Sequence, residues 1–251
     1  MWRGWRHGRG SVLPDGWRDV AARAVGHWAV LADDERDRLG ELMDGLLRRK
    51  RWEAARGVEL TGDMRVVIAA EACLLVLGLD IESYRDVSSI IVHPTTVTMR
   101  GERAGPARGV VTDSPLPIQG QAHARRGPVI IAWDAARSDA RHIGTGRNVV
   151  VHEFAHKLDM VDGLVDGTPS LPDVSARQHW IDVCTAEYEL LRAGHEDALL
   201  RPYAAVNPGE FFAVATEVFF DLPGAMREHK PALYGVLQDF YRQDPASRTT
   251  L

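Results

Sequence analysis

The chain has 251 residues, 45% hydrophobic and 26% charged, with a formal net charge of -5. That length and apolar share suffice for a substantial core, so one large soluble globular domain is expected, with at most a small appendage. The lack of a whole-chain basic excess argues against a protein whose main task is gripping nucleic acid.

The start, "MWRGWRHGRGS", is basic and aromatic and leads into "VLPDGWRDV" without the apolar run that a secretory signal needs. Residues 1–14 are therefore expected to form a flexible tail and 15–251 a single domain. Residues 15–57 are helical in pattern, with Leu39, Leu42, Met43, Leu46 and Leu47 at helical spacing, acids in the first turn and bases in the last. The basic "LLRRKRW" (47–52) reads as a solvated helix end that complements the dipole, with no direct nucleic-acid role. "GDMRVVIAAEACLLVLGL" is a second, more buried helix. Its apolar stretch, Val66 to Leu79, is interrupted by Glu71 and falls short of the ~20 residues that a membrane span requires, so no membrane partner is expected. Cys73 and Cys184 form no CxxC pair and are expected as buried free thiols, which suits a reducing cytoplasm.

From about Asp86 to Asp134 the runs "SSIIVHPTTVTM", "RGVVTD" and "GPVIIAWD" are β-branched and punctuated by Gly and Pro, predicting a small, mostly hairpin-connected sheet, antiparallel or mixed. Helical patterns return at about 147–161, 175–193, 208–221 and 231–242. The fold class is thus α+β.

The helix at 147–161 contains "VVVHEFAHKLDMVDG". His152 and His156, four apart, project from one face a turn apart and can bind one ion, while Glu153 beside them is placed to reach a water on that ion. Val150, Val151, Phe154, Leu158 and Val161 fall largely on the opposite side, with Asn148 as the expected cap and Gly163 as the stop. Zinc needs a third protein ligand and keeps one position open. Asp162 occupies the place that a third histidine takes in one extended form of the motif. Asp159, on the histidine stripe, is better placed as an acceptor for a histidine N–H. A later helix, "YAAVNPGEFFAVATEVFFDLPG", offers Glu210 and Glu217, seven apart on one face, and geometry alone does not choose between them. "NPGE" reads as a helix start, with Asn207 as cap, Pro208 at the first position and Glu210 where a capping box would use it. The other histidines lack partners at ligand spacing; His93 and His123 lie near strands that could wall a cleft.

"GPVIIAWD", "VVVHEFAHKLDMVDG", "YAAVNPGEFFAVATEVFF" and "LYGVLQDFYRQDP" together resemble the Mlc titration factor A family of bacterial zinc peptidases, whose catalytic core is similar to the lethal-factor metalloprotease domain. The resemblance implies a zincin-like domain with flanking helices and one zinc, Zn2+, held by His152, His156 and Glu210. It implies Glu153 as general base and Tyr203 as a hydroxyl pointing into the site, and it leaves Glu217 as a packing or supporting residue. It further implies hydrolysis of peptide substrates of an aminopeptidase kind and binding of a glucose-responsive transcriptional repressor. In such peptidases an edge strand commonly presents the peptide, and "GPVIIAWD" (127–134), with Pro128 suited to an edge, is the candidate. A contrasting expectation is a metal-containing binding module that sequesters a regulator without cleaving it.

Overall fold

The N-terminal helical pattern divides into α1 (Trp17–Ala24), a 3-10 turn (Gly26–Val30) and α2 (Asp33–Arg49). This computed structural model describes residues 11–248 except 56, 96, 100–102, 105–110, 113–115, 119, 123–126 and 163–165. Asp33, Asp34 and Glu35 open α2 and Arg48 and Arg49 close it, matching the helix dipole. The basic run at its end is paired locally, Arg48 with Asp44 and Arg49 with Glu82, while Lys50 Nζ donates to Tyr84 O.

Residues 51–54, expected to continue the helix, form strand β1 (Arg51–Ala54) instead. Lys50 is extended, and the backbone of the next four residues pairs in parallel with Ser89–Val92, so sheet pairing overrides a helical pattern that is weak at its end. After α3 (Gly62–Leu74) comes β2 (Val87–His93). The excursion that follows holds two short antiparallel pairs, β3 (Val97–Met99) with β6 (Leu116–Ile118) and β4 (Arg103–Ala104) with β5 (Val111–Thr112). The chain then returns through β7 (Gly120–Ala122) and β8 (Gly127–Ala132).

The main sheet has the order β1-β2-β8-β7, with the first three strands parallel and β7 antiparallel. It is mixed, as allowed, but its centre is parallel rather than hairpin-connected. Hairpin-type pairing accounts for the excursion and for β7 with β8. Ile90, Val92, Val129 and Ile131 are fully buried on the one face that their register gives them in common, while Ile91 and Ile130 on the other face are only half-buried. The expectation that residues 127–134 lie at the edge is overturned: β8 pairs with β2 on one side and β7 on the other. Pro128 is tolerated there because it falls where the β2–β8 register slips, between Gly127 and Val129, and beyond the last residue paired with β7. The edge strands are β1 and β7.

Two helices unread in the sequence follow the pattern of short elements, α4 (Trp133–Arg141) and α8 (Pro223–His229). The others lie close to expectation: α5 (Val149–Asp159), α6 (Val174–Arg192), α7 (Pro208–Asp221) and α9 (Pro231–Tyr241). α5 packs against α7 on one side and against β7 and β8 on the other, and also touches α3. Val150, Val151, Phe154 and Leu158 are buried, and Phe154 meets Tyr84 edge-on with ring centroids 4.8 Å apart. No helix of the described residues is long and apolar enough to cross a membrane. Cys73 is buried and Cys184 half-buried, and both are free thiols; burial pushes the Cys184 thiol up to about 12.

Candidate metal centre

α5 starts on Asn148, whose Oδ1 accepts from the N–H groups of Val150 and Val151, both at 3.1 Å. The two preceding N–H groups are also engaged by side chains. Asn148 N donates to Glu217 Oε2 at 2.7 Å and Val149 N to Asp139 Oδ2 at 3.0 Å. Donors that a helix start leaves orphaned are thus satisfied, and the helix is fixed at its N-terminal end. Asn148 Nδ2 in turn donates to Glu71 Oε2 at 2.7 Å, which gives the buried acid of α3 a partner besides His27 Nδ1 at 3.4 Å.

His152 and His156 present their imidazoles on one face, with Nε2 atoms 3.2 Å apart. Glu210 Oε2 lies 3.1 Å from His152 Nε2 and 3.4 Å from His156 Nε2. Donors about 2.0–2.1 Å from a tetrahedral ion stand about 3.3 Å from one another, so these three surround a point where one ion fits. Glu210 is delivered by the start of α7: Asn207 Oδ1 caps its N–H at 2.9 Å and Pro208 occupies the first helical position. Its carboxylate, however, leaves the cap and turns to the histidines, so only half of the capping box forms.

Glu217, two turns further along α7, reaches the other nitrogen of His152. Its Oε1 is 2.7 Å from Nδ1. With Nδ1–H donated there, Nε2 presents its lone pair towards Glu210 and His156. Burial disfavours charge on His152, but Glu210 and Glu217 override it and raise its pKa to about 10. Glu210 is buried too, yet the two histidines hold its carboxyl well below the usual range. The cluster attracts positive charge.

Glu153 lies beside the histidine face, buried, and its Oε2 has no hydrogen-bond partner among the described residues. Burial raises its carboxyl against the opposing pull of His152 and His156. Tyr203, on the turn Pro202–Ala205, stands with its ring centroid 6.1 Å from that of His152 and is 45% exposed. Burial of part of the side chain, together with Glu210, raises the phenol, which remains a donor at neutral pH.

Asp159 departs from expectation. It is fully buried, but its Oδ2 accepts from Gly167 N at 3.2 Å, because the chain doubles back past the end of α5, and Glu217 fills the role at His152. His156 Nδ1 has no partner among the described residues. The side chain of Asp162, and Gly163 and His123 altogether, lie outside the described residues. His93 ends β2, opposite Ala132.

The sequence matches the family described as glucose-regulated metallo-peptidase M90 over residues 1–242. The chain belongs to the M90 family. It is 33% identical to an uncharacterized protein of Synechocystis sp., covering 97% of this chain and 90% of that protein. Two proteins named Mlc titration factor A are similar to the same degree: that of Pectobacterium atrosepticum at 33% identity, covering 91% of this chain and 86% of the relative, and that of Edwardsiella ictaluri at 34%, covering 90% and 87%. Membership of M90 makes this a metallopeptidase-like protein and implies a metal cofactor. The donor set fits one: His152, His156 and Glu210 each offer an atom, all within 4.8 Å of one another.

Residues that sequence reasoning passed over support the cluster: Glu71 accepts from Asn148, Asp139 from Val149 N, and Arg201 Nη2 donates to Glu217 Oε1. Glu71 was visible as a solitary acid in an apolar run, a pattern that calls for a buried partner. Asp139 and Arg201 carry no such signal, since nothing in their spacing ties them to the HExxH helix.

Proposed function

We propose that this M90 protein is a zinc-dependent peptidase of an aminopeptidase kind acting in the cytoplasm, with His152, His156 and Glu210 as zinc ligands. Residues 15–251 form the catalytic domain, against whose core Leu13 packs while Ser11 and Val12 bond Asp44. The observation that carries the reading is the cluster of three donor atoms 3.1–3.4 Å apart beside a buried oxygen of Glu153 that has no partner among the described residues. Zinc, when bound, supplies Lewis-acid polarisation of the scissile carbonyl and a water acidic enough to deprotonate near neutrality. Glu153 would accept a proton from an attacking water and pass it to the leaving amine. Tyr203, a protonated phenol at the rim, donates a hydrogen bond to the developing oxyanion. β7 ends the sheet and packs beside α5, which favours an extended peptide adding to it as a further strand.

Metal analysis with a small substrate panel tests this. Glu153→Gln is expected to keep about one zinc per chain yet lose ~100-fold or more in rate, the scale for removing a positioned general base. Glu210→Ala is expected to lose the zinc. Aminoacyl substrates with a free amine should be cleaved and their blocked counterparts spared. Hydrolysis that survives full chelation refutes the zinc mechanism, and equal cleavage of blocked peptides refutes the aminopeptidase assignment.

The name shared by the relatives, Mlc titration factor A, supports a second role, the binding of a transcriptional repressor of sugar uptake. A pulldown of such a repressor from the same genome, with wild type and Glu153→Gln, separates the roles. Retention by both proteins with cleavage lost in the variant marks two separable functions; no retention by either removes the second.

A further inference from the structure

We propose that Arg201 is a positioning residue for the metal centre, holding Glu217 against His152 while fixing the turn that carries Tyr203. The proposal rests on the zinc-peptidase reading and extends it to a residue outside the ligand set.

Arg201 Nη2 donates to Glu217 Oε1 at 2.5 Å, and the same oxygen faces His152 Nδ1 at 2.7 Å. The other oxygen, Oε2, is spent on Asn148 N at 2.7 Å. Glu217 is only 2% exposed, so water does not compensate its charge. A histidine that binds a metal does so as the neutral imidazole, so in the loaded site the cation facing this carboxylate is Arg201.

The guanidinium also has a second anchor. Its Nη1 donates to Gly146 O at 3.2 Å, on the loop entering α5. It further lies 5.9 Å from the centroid of the Tyr203 ring. Leu200 and Ala204, buried on either side of these two residues, seat the segment in the core. One side chain therefore ties together the approach to α5, the carboxylate on α7 and the turn bearing the tyrosine. Two N–H groups aimed at two separate acceptors suit the planar fork of arginine, and a single ammonium cannot span them in the same way.

The test uses the full chain with Zn2+ and Co2+ as probes. Zinc affinity is measured by competition with a chromophoric chelator, cobalt geometry by the visible spectrum, and folding by circular dichroism of the metal-free protein. Arg201→Met is expected to weaken zinc binding about 10–100-fold, the scale for losing an outer partner of a ligand, and to shift the cobalt bands. Arg201→Lys should fall between it and wild type. Because Arg201 acts through the charge on Glu217, Arg201→Met combined with Glu217→Gln should bind zinc no more weakly than the worse single variant. If Arg201→Met fails to fold, Arg201→Lys, alone and combined with Glu217→Gln, carries the same comparison. Wild-type zinc affinity in the folded Met or Lys variants, or losses that simply add in the double variant, overturn the proposal. Wild-type protein that takes up neither ion instead sinks the zinc reading beneath it.

Discussion

The backbone of Glu210 sits in the first turn of α7, where Asn207 holds its N–H, while its carboxylate lies between two histidines of another helix. Both parts were legible, the cap from "NPGE" and the carboxylate from its helical stripe. The division of labour between Glu210 and Glu217 was not. Seven residues apart, they share a face, and what separates them is which imidazole nitrogen each reaches, a matter of how α7 lies across α5. Asp139 adds a signature in pH. Burial, with Glu217, Glu71 and Asp221 nearby, raises its carboxyl to about 6 against the opposing hydrogen bond from Val149. A folded pKa above the unfolded value of about 3.9 means that the native state binds the extra proton between these pH values, so stability falls as pH rises through that window and stays lower above it. Asp139→Asn keeps an oxygen for Val149 N and removes the charge. Thermal unfolding of the metal-free variant should show a gain of about 1 kcal/mol at pH 7.5, allowing for solvent screening, shrinking towards zero as pH falls to 4. A variant less stable than wild type at pH 7.5 shows that the start of α5 needs the carboxylate.

Among the elements, α5, α6, α7 and α9 were readable to within two residues, whereas α2 and α3 stop short of the patterns that announced them and the short elements were not readable. α4 follows β8 with no turn signal between them, and α8 has seven residues, too few for a period to declare itself. β1 is four residues appended to a helix end, and only its pairing with β2 makes it a strand. The junction between α5 and α7 was likewise hidden, because it is built from a loop. Gly167 there has φ +73, gives its N–H to Asp159 and accepts from Trp180 Nε1 at 2.9 Å. A Cβ at this position lies 2.4 Å from Pro208 O, which is backbone at the first turn of α7. Gly167→Ala is therefore strained in both conformation and space, and displacing the start of α7 displaces Glu210. Expected are a loss of about 2 kcal/mol or more in thermal stability and weaker zinc binding. Unchanged zinc affinity shows that Glu210 does not depend on this contact.

At the scale of the molecule, the α+β class followed from the alternation of patterns, whereas the topology did not. The unbroken runs "SIIV" and "VII" announce strands, but parallel neighbours are joined through distant crossovers, and nothing local names the partner. The same holds at the C-terminus, where Gln243 Nε2 caps the carbonyls of Leu74 and Leu75, 169 and 168 residues back, and Arg248 reaches Glu35. Long-range closures of this kind leave the HExxH helix wedged between α7 and the sheet. Its first turn, with every amide from Asn148 to Val151 given to a buried or half-buried side-chain oxygen, has no easy way to fray. Helix starts ordinarily trade their amide protons with solvent quickly. In hydrogen–deuterium exchange these four are expected to be among the slowest in the protein, opening only with the whole fold, and rapid exchange at them shows that the clamp is not closed in solution. A helix start pinned in this way is a rigid base for His152 and His156, so any give at the site has to come from the elements around it.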